Sequence, residues 1–158
     1  MEIEKKFKVI RLPENYKAYT KREIEQCYLC TSPVIRIRKS NEDYILTYKS
    51  KAGVGEGKTV RICNELEVPL TEESYLHLKE KADGMVIVKT RYLLPLSDGH
   101  RAELDVFHKA HEGLVIVEVE FGSEEEAGSF VPPEWFGEDV SCDNRYTNQW
   151  LAFHQDWR

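Results

Sequence analysis

Charged and apolar positions alternate along most of this chain. Seven two-residue steps carry a charge at both ends: Glu2/Glu4, Arg36/Arg38, Glu65/Glu67, Lys89/Arg91, Arg101/Glu103, Glu103/Asp105 and Glu118/Glu120. The residue between is mostly Ile, Val or Leu. Residues two apart on a β-strand share a face, so the pattern predicts strands with one charged and one apolar side. Such runs occupy Met1–Ile10, Ile24–Leu29, Val34–Lys39, Tyr44–Ser50, Thr59–Pro69, Val86–Leu94, His100–Phe107 and Leu114–Phe121. Ser32-Pro33, Asn41-Glu42-Asp43, Gly53–Gly57, Ser97-Asp98-Gly99 and Glu112-Gly113 supply the turns between them.

Helix signals are fewer. Pro13 and Glu14 open a short helix predicted to run to Arg22, and Thr71 caps another predicted to reach Asp83. Ser123 with Glu126 matches a capping box, and Tyr146–Phe153 reads as a final helix. Pro132-Pro133 and Gly137 break the stretch between. No repeat or linker divides the chain, so residues 1–158 read as one domain. The fold class is α+β, mainly β: an eight-stranded antiparallel closed β-barrel, a tunnel with short helices packed outside.

Two arrangements satisfy the alternation. A half-wet sheet puts the charges in solvent, but directly opposed like charges destabilise such a face. The recurrence of same-sign pairs, acidic in some strands and basic in others, favours charged faces turned inward. Buried charges are tolerated when paired or bound to ions. A charged interior of both signs therefore implies a metal for the carboxylates and a polyanion for the cations.

Composition narrows the partners. A net charge of −6 argues against a general nucleic-acid binder, although a local basic groove still suits a phosphorylated small molecule. No basic segment followed by an apolar run opens the sequence, and no stretch reaches transmembrane length. Cys27, Cys30, Cys63 and Cys142 do not form a disulfide framework. The expectation is a cytoplasmic protein with reduced thiols, acting on neither nucleic acid nor membrane. Cys27-Tyr28-Leu29-Cys30 lies in a strand-like run without a second such pair, so it reads as strand rather than zinc site. The five histidines show no ligand spacing on a common face except His108 and His111, which straddle a predicted turn, and all read as surface residues. Trp135, Trp150 and Trp157 read as packing.

The motifs, taken in order, resemble the CYTH or triphosphate tunnel metalloenzyme superfamily. Glu2-Ile3-Glu4-Lys5-Lys6 fits its ExExK signature, and Gln26-Cys27-Tyr28-Leu29 its Tyr-containing second strand. Arg36-Ile37-Arg38, Lys49, Glu65-Leu66-Glu67, Lys89-Thr90-Arg91 and Glu103-Leu104-Asp105-Val106-Phe107 follow its RxR, TxK-like, ExE, KxR and ExDxF strands. Glu118-Val119-Glu120 matches a late ExE strand, and Asp143-Asn144-Arg145-Tyr146-Thr147-Asn148 a C-terminal RYxN element. Cys63 stands where many bacterial members carry another Glu, which removes one acidic rung.

The resemblance implies a divalent-metal-dependent enzyme acting on triphosphates. It assigns Glu2, Glu4 and Glu120, then Glu118 and Asp105, as ligands for Mg²⁺ or Mn²⁺, hard cations that take oxygen donors. Lys6, Arg36, Arg38, Lys49, Lys89, Arg91 and Arg145 become phosphate binders. Glu65, Glu67 and Glu103 support them, while Arg61 and Arg101 read as pairing residues first. Glu2, Glu4, Lys6 and Tyr28 are the catalytic candidates. The leading activity is hydrolysis of tripolyphosphate to pyrophosphate and phosphate. The alternatives are a class IV-type adenylyl cyclase, a hydrolase of ATP or thiamine triphosphate, and a non-catalytic polyphosphate or nucleotide-binding module. A homodimer is expected from base rate and resemblance alone.

Overall fold

The structure, a computed structural model, describes residues 2–51 and 61–157, without the side chains of residues 2, 51 and 61–64. The predicted glycine turn Gly53–Gly57 and the first residues of the predicted Thr59–Pro69 strand lie outside the described residues. Alternation produces strands wherever it was read: β1 (Glu2–Val9), β2 (Lys21–Thr31), β3 (Val34–Ser40), β4 (Asp43–Lys51), β5 (Arg61–Pro69), β6 (Asp83–Pro95), β7 (Arg101–His108) and β8 (Val115–Glu120). A further strand, β9 (Phe136–Asp139), joins them.

All pairings are antiparallel. They build one nine-stranded sheet of order β5-β4-β3-β2-β6-β7-β8-β1-β9. One edge of β1 lies on β8. The other is shared between β5, opposite Glu2–Glu4, and β9, opposite Phe7 and Val9. The sheet is therefore not the regular closed eight-stranded barrel that the alternation predicts. Its order has two ends, and β5 reaches β1 only through the pairs Glu2–Cys63, Ile3–Ile62 and Glu4–Arg61. The inserted β9 takes the remaining edge, helped by Gly137, where a Cβ would stand 3.3 Å from Lys8 Cβ and its carbonyl oxygen.

The apolar faces point outward and are covered over most of the sheet, while Tyr48, Leu66 and Val68 of β4 and β5 stay exposed. Phe7, Leu94, Leu104, Val117 and Val119 form one core with Phe121, Phe136 and Ala127 of helix α2 (Glu124–Gly128). Cys27 and Ile37 form a second beneath Tyr75 of helix α1 (Glu72–Lys79). Thr71 caps α1 reciprocally with Ser74, as its hydroxyl predicts. Ser123 caps α2 by accepting from Glu126 N. The predicted Pro13–Arg22 helix shrinks to a 3-10 turn, Tyr16–Ala18. Asn15 is left-handed there, and Lys21 and Arg22 are drawn into pairing with Tyr92 and Arg91 of β6.

A third core lies on the inner face. Beyond the charged pairs, the inward positions turn apolar at Val34, Ile87, Phe107 and Ile116, and these meet Tyr146, Leu151, Ala152 and Trp157. The predicted final helix is shorter than Tyr146–Phe153, a 3-10 turn at Asn144–Tyr146 followed by helix α3 (Asn148–Leu151). This C-terminal segment fills one end of the strand ring. His111, read as a surface residue, is instead fully buried, with Nε2 2.7 Å from the Leu151 carbonyl and 2.9 Å from that of His154. At Gly84 (φ 72°) a Cβ would lie 2.5 Å from the Ala152 oxygen, the same oxygen that accepts from Met85 N.

Candidate functional site

Register brings the charged faces together. Glu4 stands opposite Glu120 and Lys6 opposite Glu118. Glu118 stands opposite Glu103, Asp105 opposite Arg91, Arg36 opposite Tyr28 and Arg38 opposite Gln26, and Lys49 opposite Glu65. Around this ring opens a cavity of about 650 Å³. Its walls carry the cations Lys6, Arg36, Arg38, Lys49 and Arg91, and the carboxylates Glu4, Glu65, Glu67, Glu118 and Glu120. Tyr28 also faces it. Ser50 and, from the C-terminal segment, Thr147, Asn148 and Gln149 face it as well, although sequence reasoning had given them no role there. The quoted RYxN element was the signal available for Asn148.

Not every sequence candidate reaches the cavity. Lys89 is wholly buried behind the wall, donating to Asp105 Oδ2 at 2.8 Å and to Asn148 Oδ1 at 3.4 Å. Asp105, also buried, is engaged by both Arg91 nitrogens, Nε at 2.7 Å and Nη2 at 2.9 Å. Arg145 is held by Asp143 at 2.7 Å and stands outside the lining. The Glu2 side chain lies outside the described residues; its backbone begins β1, paired with Cys63.

The electrostatics divide the site into a compensated half and a cationic half. Arg91 lies 2.7 Å from Glu103, 2.7 Å from Asp105 and 3.7 Å from Glu118. Burial pulls its pKa down, but those three carboxylates win and hold it above the ordinary value. Burial works equally against ionised Glu118 and Asp105. Lys6, Arg91 and Lys89 nevertheless hold Glu118 well below the carboxylate range, as Arg91 and Lys89 do for Asp105. Glu103 moves the other way: burial, with Glu118 and Asp105 close by, raises it despite Arg91. Lys89 falls to about 8 because burial outweighs Asp105.

Arg36 and Arg38 form the cationic half. Arg36 lies 4.0 Å from Glu65, donates to Thr47 Oγ1 at 3.3 Å, and keeps a buried Nε without an acceptor among the described residues. Burial and the like charges of Arg36 and Arg91 push Arg38 below the usual arginine value. Unspent guanidinium donors facing a cavity are a receptor for oxyanions.

The donor set also fits a hard cation. Among the described residues, no three His, Cys, Asp or Glu side chains form a complete metal cage. Mg²⁺ and Mn²⁺ need no such cage, because one or two carboxylates combine with waters and phosphate oxygens. Glu4 and Glu120, cross-strand neighbours on the cavity wall, are oxygen donors of that kind.

Comparison with known proteins agrees with this chemistry. A Nitrosomonas europaea protein named inorganic triphosphatase is 38% identical over 154 residues, covering 96% of this chain and 96% of its own. An Acetivibrio thermocellus protein of the same name is 35% identical over 154 residues, covering 96% of this chain and 92% of its own. The crystal structure of the inorganic triphosphatase NE1496 superposes with a TM-score of 0.73 at 36% identity, covering 98% of this chain and 95% of that one. No protein-family model matches the chain. With more than a third of its residues identical to both named relatives across almost its whole length, the chain belongs to the family of these inorganic triphosphatases.

Proposed function

We propose that this protein is a metal-dependent inorganic triphosphatase that hydrolyses tripolyphosphate to pyrophosphate and phosphate. The observation that carries the reading is a single cavity walled by five cationic side chains and, on the β1–β8 side, by the facing carboxylates Glu4 and Glu120. A polyanion of four or five charges suits that number of cations. The relatives' name supplies the substrate class.

In this reading Arg36, Arg38 and Lys49 grip the phosphate chain, with Lys6 and Arg91 nearer the carboxylates. Lys89 and Arg145 support from behind and beside the cavity. Glu4 and Glu120 hold the metal together with Glu2, and Glu118 and Asp105 hold the cations that flank it. Bound Mg²⁺ or Mn²⁺ supplies charge neutralisation and polarisation of phosphate oxygens. Water attacks the terminal phosphorus, the bridging P–O bond breaks, pyrophosphate leaves and one proton is released to solvent. The protein's share is alignment and electrostatic stabilisation, which carry most of phosphoryl transfer. Lys6 and Tyr28 stand at the reacting end, Glu65 and Glu67 orient Lys49 and Arg36, and Glu103 orients Arg91. The short β1–β5 pairing bridges the two flanks of the open sheet beside the substrate. The free thiols of Cys27, Cys30 and Cys142 suit a single-domain cytoplasmic enzyme, working as a homodimer without nucleic acid or membrane.

Phosphate release from tripolyphosphate, and separately from ATP, with Mg²⁺, Mn²⁺ or EDTA, tests this. Metal-dependent turnover of tripolyphosphate well above that of ATP is expected. No release from tripolyphosphate, or conversion of ATP to cyclic AMP, overturns the proposal.

A further inference from the structure

The cations around the cavity differ in how their charge is answered. Arg91 touches Glu103, Asp105 and Glu118, Lys89 touches Asp105, Lys6 touches Glu118, and Arg36 reaches Glu65. Arg38 has no carboxylate within ion-pair distance among the described residues. Its Nε donates instead to Gln26 Oε1 at 2.8 Å.

Gln26 faces Arg38 across the β2–β3 pairing and is wholly buried. An amide oxygen accepts the Nε–H without cancelling the guanidinium charge. One donor is thereby anchored, and among the described residues the four N–H groups on the two Nη atoms have no hydrogen-bond acceptor, which suits bidentate contact with phosphate. The amide Nε2 of Gln26 has no acceptor among the described residues. A buried unsatisfied donor is costly, a cost that a residue filling space alone does not carry.

We propose that Gln26 is a positioning residue that aims the Arg38 guanidinium at substrate phosphate oxygens while leaving its charge uncancelled. This rests on the triphosphatase reading and adds to it a reason why one wall attracts the polyanion more strongly than the other. Burial and the like charges of Arg36 and Arg91 hold Arg38 below the usual arginine value while it stays protonated near neutrality, and a bound polyanion offsets that crowding of like charge.

Two near-isosteric variants separate positioning from packing. Gln26→Glu keeps the hydrogen bond and the volume but adds the missing counter-charge; Gln26→Met keeps the volume and removes the acceptor. Each is followed by thermal melting, by tripolyphosphate titration in EDTA, and by kcat and KM at saturating Mg²⁺. For Gln26→Glu we expect a native melt, affinity weakened about tenfold or more, KM raised in parallel and kcat changed far less. The deficit relative to wild type shrinks as pH falls and the introduced carboxyl is protonated. Gln26→Met is expected to raise KM by a smaller factor. Wild-type affinity in Gln26→Glu overturns the proposal, as do equal losses in both variants accompanied by lowered melting, which mark a packing role. If wild type turns over tripolyphosphate and Gln26→Glu matches it, the inference fails alone; if wild type neither binds nor cleaves it, the inference falls with the activity.

Discussion

Asp105 offers the sharpest test of how this interior is held together. It is 1% exposed and sits between the wholly buried Lys89 ammonium and the two nitrogens of Arg91. Replacing it by Asn keeps the shape and removes the charge. Arg91 retains Glu103 and Glu118, but Lys89 is left, among the described residues, with neutral partners: the new amide oxygen, Asn148 at 3.4 Å and the Phe107 ring. Stripping one partner from a buried ion pair costs about 3–5 kcal/mol, because the other charge stays desolvated. In a domain of this size each kcal/mol shifts Tm by about 2–4 °C, so the expected loss is roughly 6–20 °C. The deficit also has a pH signature. Lys89 already titrates near 8, below its unfolded value of about 10.4. Between those values the unfolded chain binds more protons, so stability contributed here rises with pH. Asp105→Asn depresses Lys89 further, so its deficit should be largest at and below neutrality and narrow as pH rises to about 8, where Lys89 loses its proton in the wild type as well. Thermal melts in EDTA from pH 6 to 10 measure this without interference from metal. A variant melting within about 2 °C of wild type throughout would refute the structural role and return Asp105 to the metal ligands.

Other perturbations reach different parts of the reasoning. Glu120→Gln, on the cavity wall opposite Glu4, should raise the Mg²⁺ or Mn²⁺ concentration for half-maximal turnover by about tenfold or more; an unchanged metal titration excludes it as a ligand. Gly84→Ala should cost about 2 kcal/mol or more, from its positive φ and the 2.5 Å approach to the Ala152 oxygen, read as a lowered Tm. His100 lies between Asp98 and Glu126, which raise its pKa above 6.5. Its stabilisation is thus full below about pH 6.5 and lost as pH rises through the raised value. The Tm gap between wild type and His100→Gln should accordingly close between pH 6 and 9, and a gap independent of pH counts against the contact.

Most of the strands were legible because a period of two writes both faces of a strand at once. Arg36/Arg38 on β3 and Glu118/Glu120 on β8 needed no tertiary knowledge to be set on a shared face. What that period cannot state is depth. Lys89 and Arg91 are equivalent in the alternation, yet one is sealed behind the wall and the other faces the cavity. The difference comes from Asn148 and the C-terminal segment, which arrive from far along the chain. β9 was hidden for a related reason: Pro132-Pro133 and Gly137 are breakers locally, and the strand exists because β1 offers it an edge. His111 reads with His108 as straddling a turn, and its burial depends on two carbonyls of the C-terminal segment. The Pro13–Arg22 helix failed because pairing with β6 outweighed helix signals at its end.

The position of β1 has a consequence for how the protein comes into being. The strand β1 finds its partners in the later strands β5, β8 and β9, and Lys6 N donates to Ser141 Oγ across 135 residues of chain. At about 5–20 residues per second, that separation is roughly seven to thirty seconds of synthesis. Until β8 is made, Glu4 and Lys6 ride on a strand whose long pairing edge is missing, a state prone to mispairing. The catalytic chamber therefore cannot mature piecemeal as the chain emerges. Its oldest residues wait for its youngest, and chains halted before Ser141 should be substrates for chaperones rather than partly active enzymes.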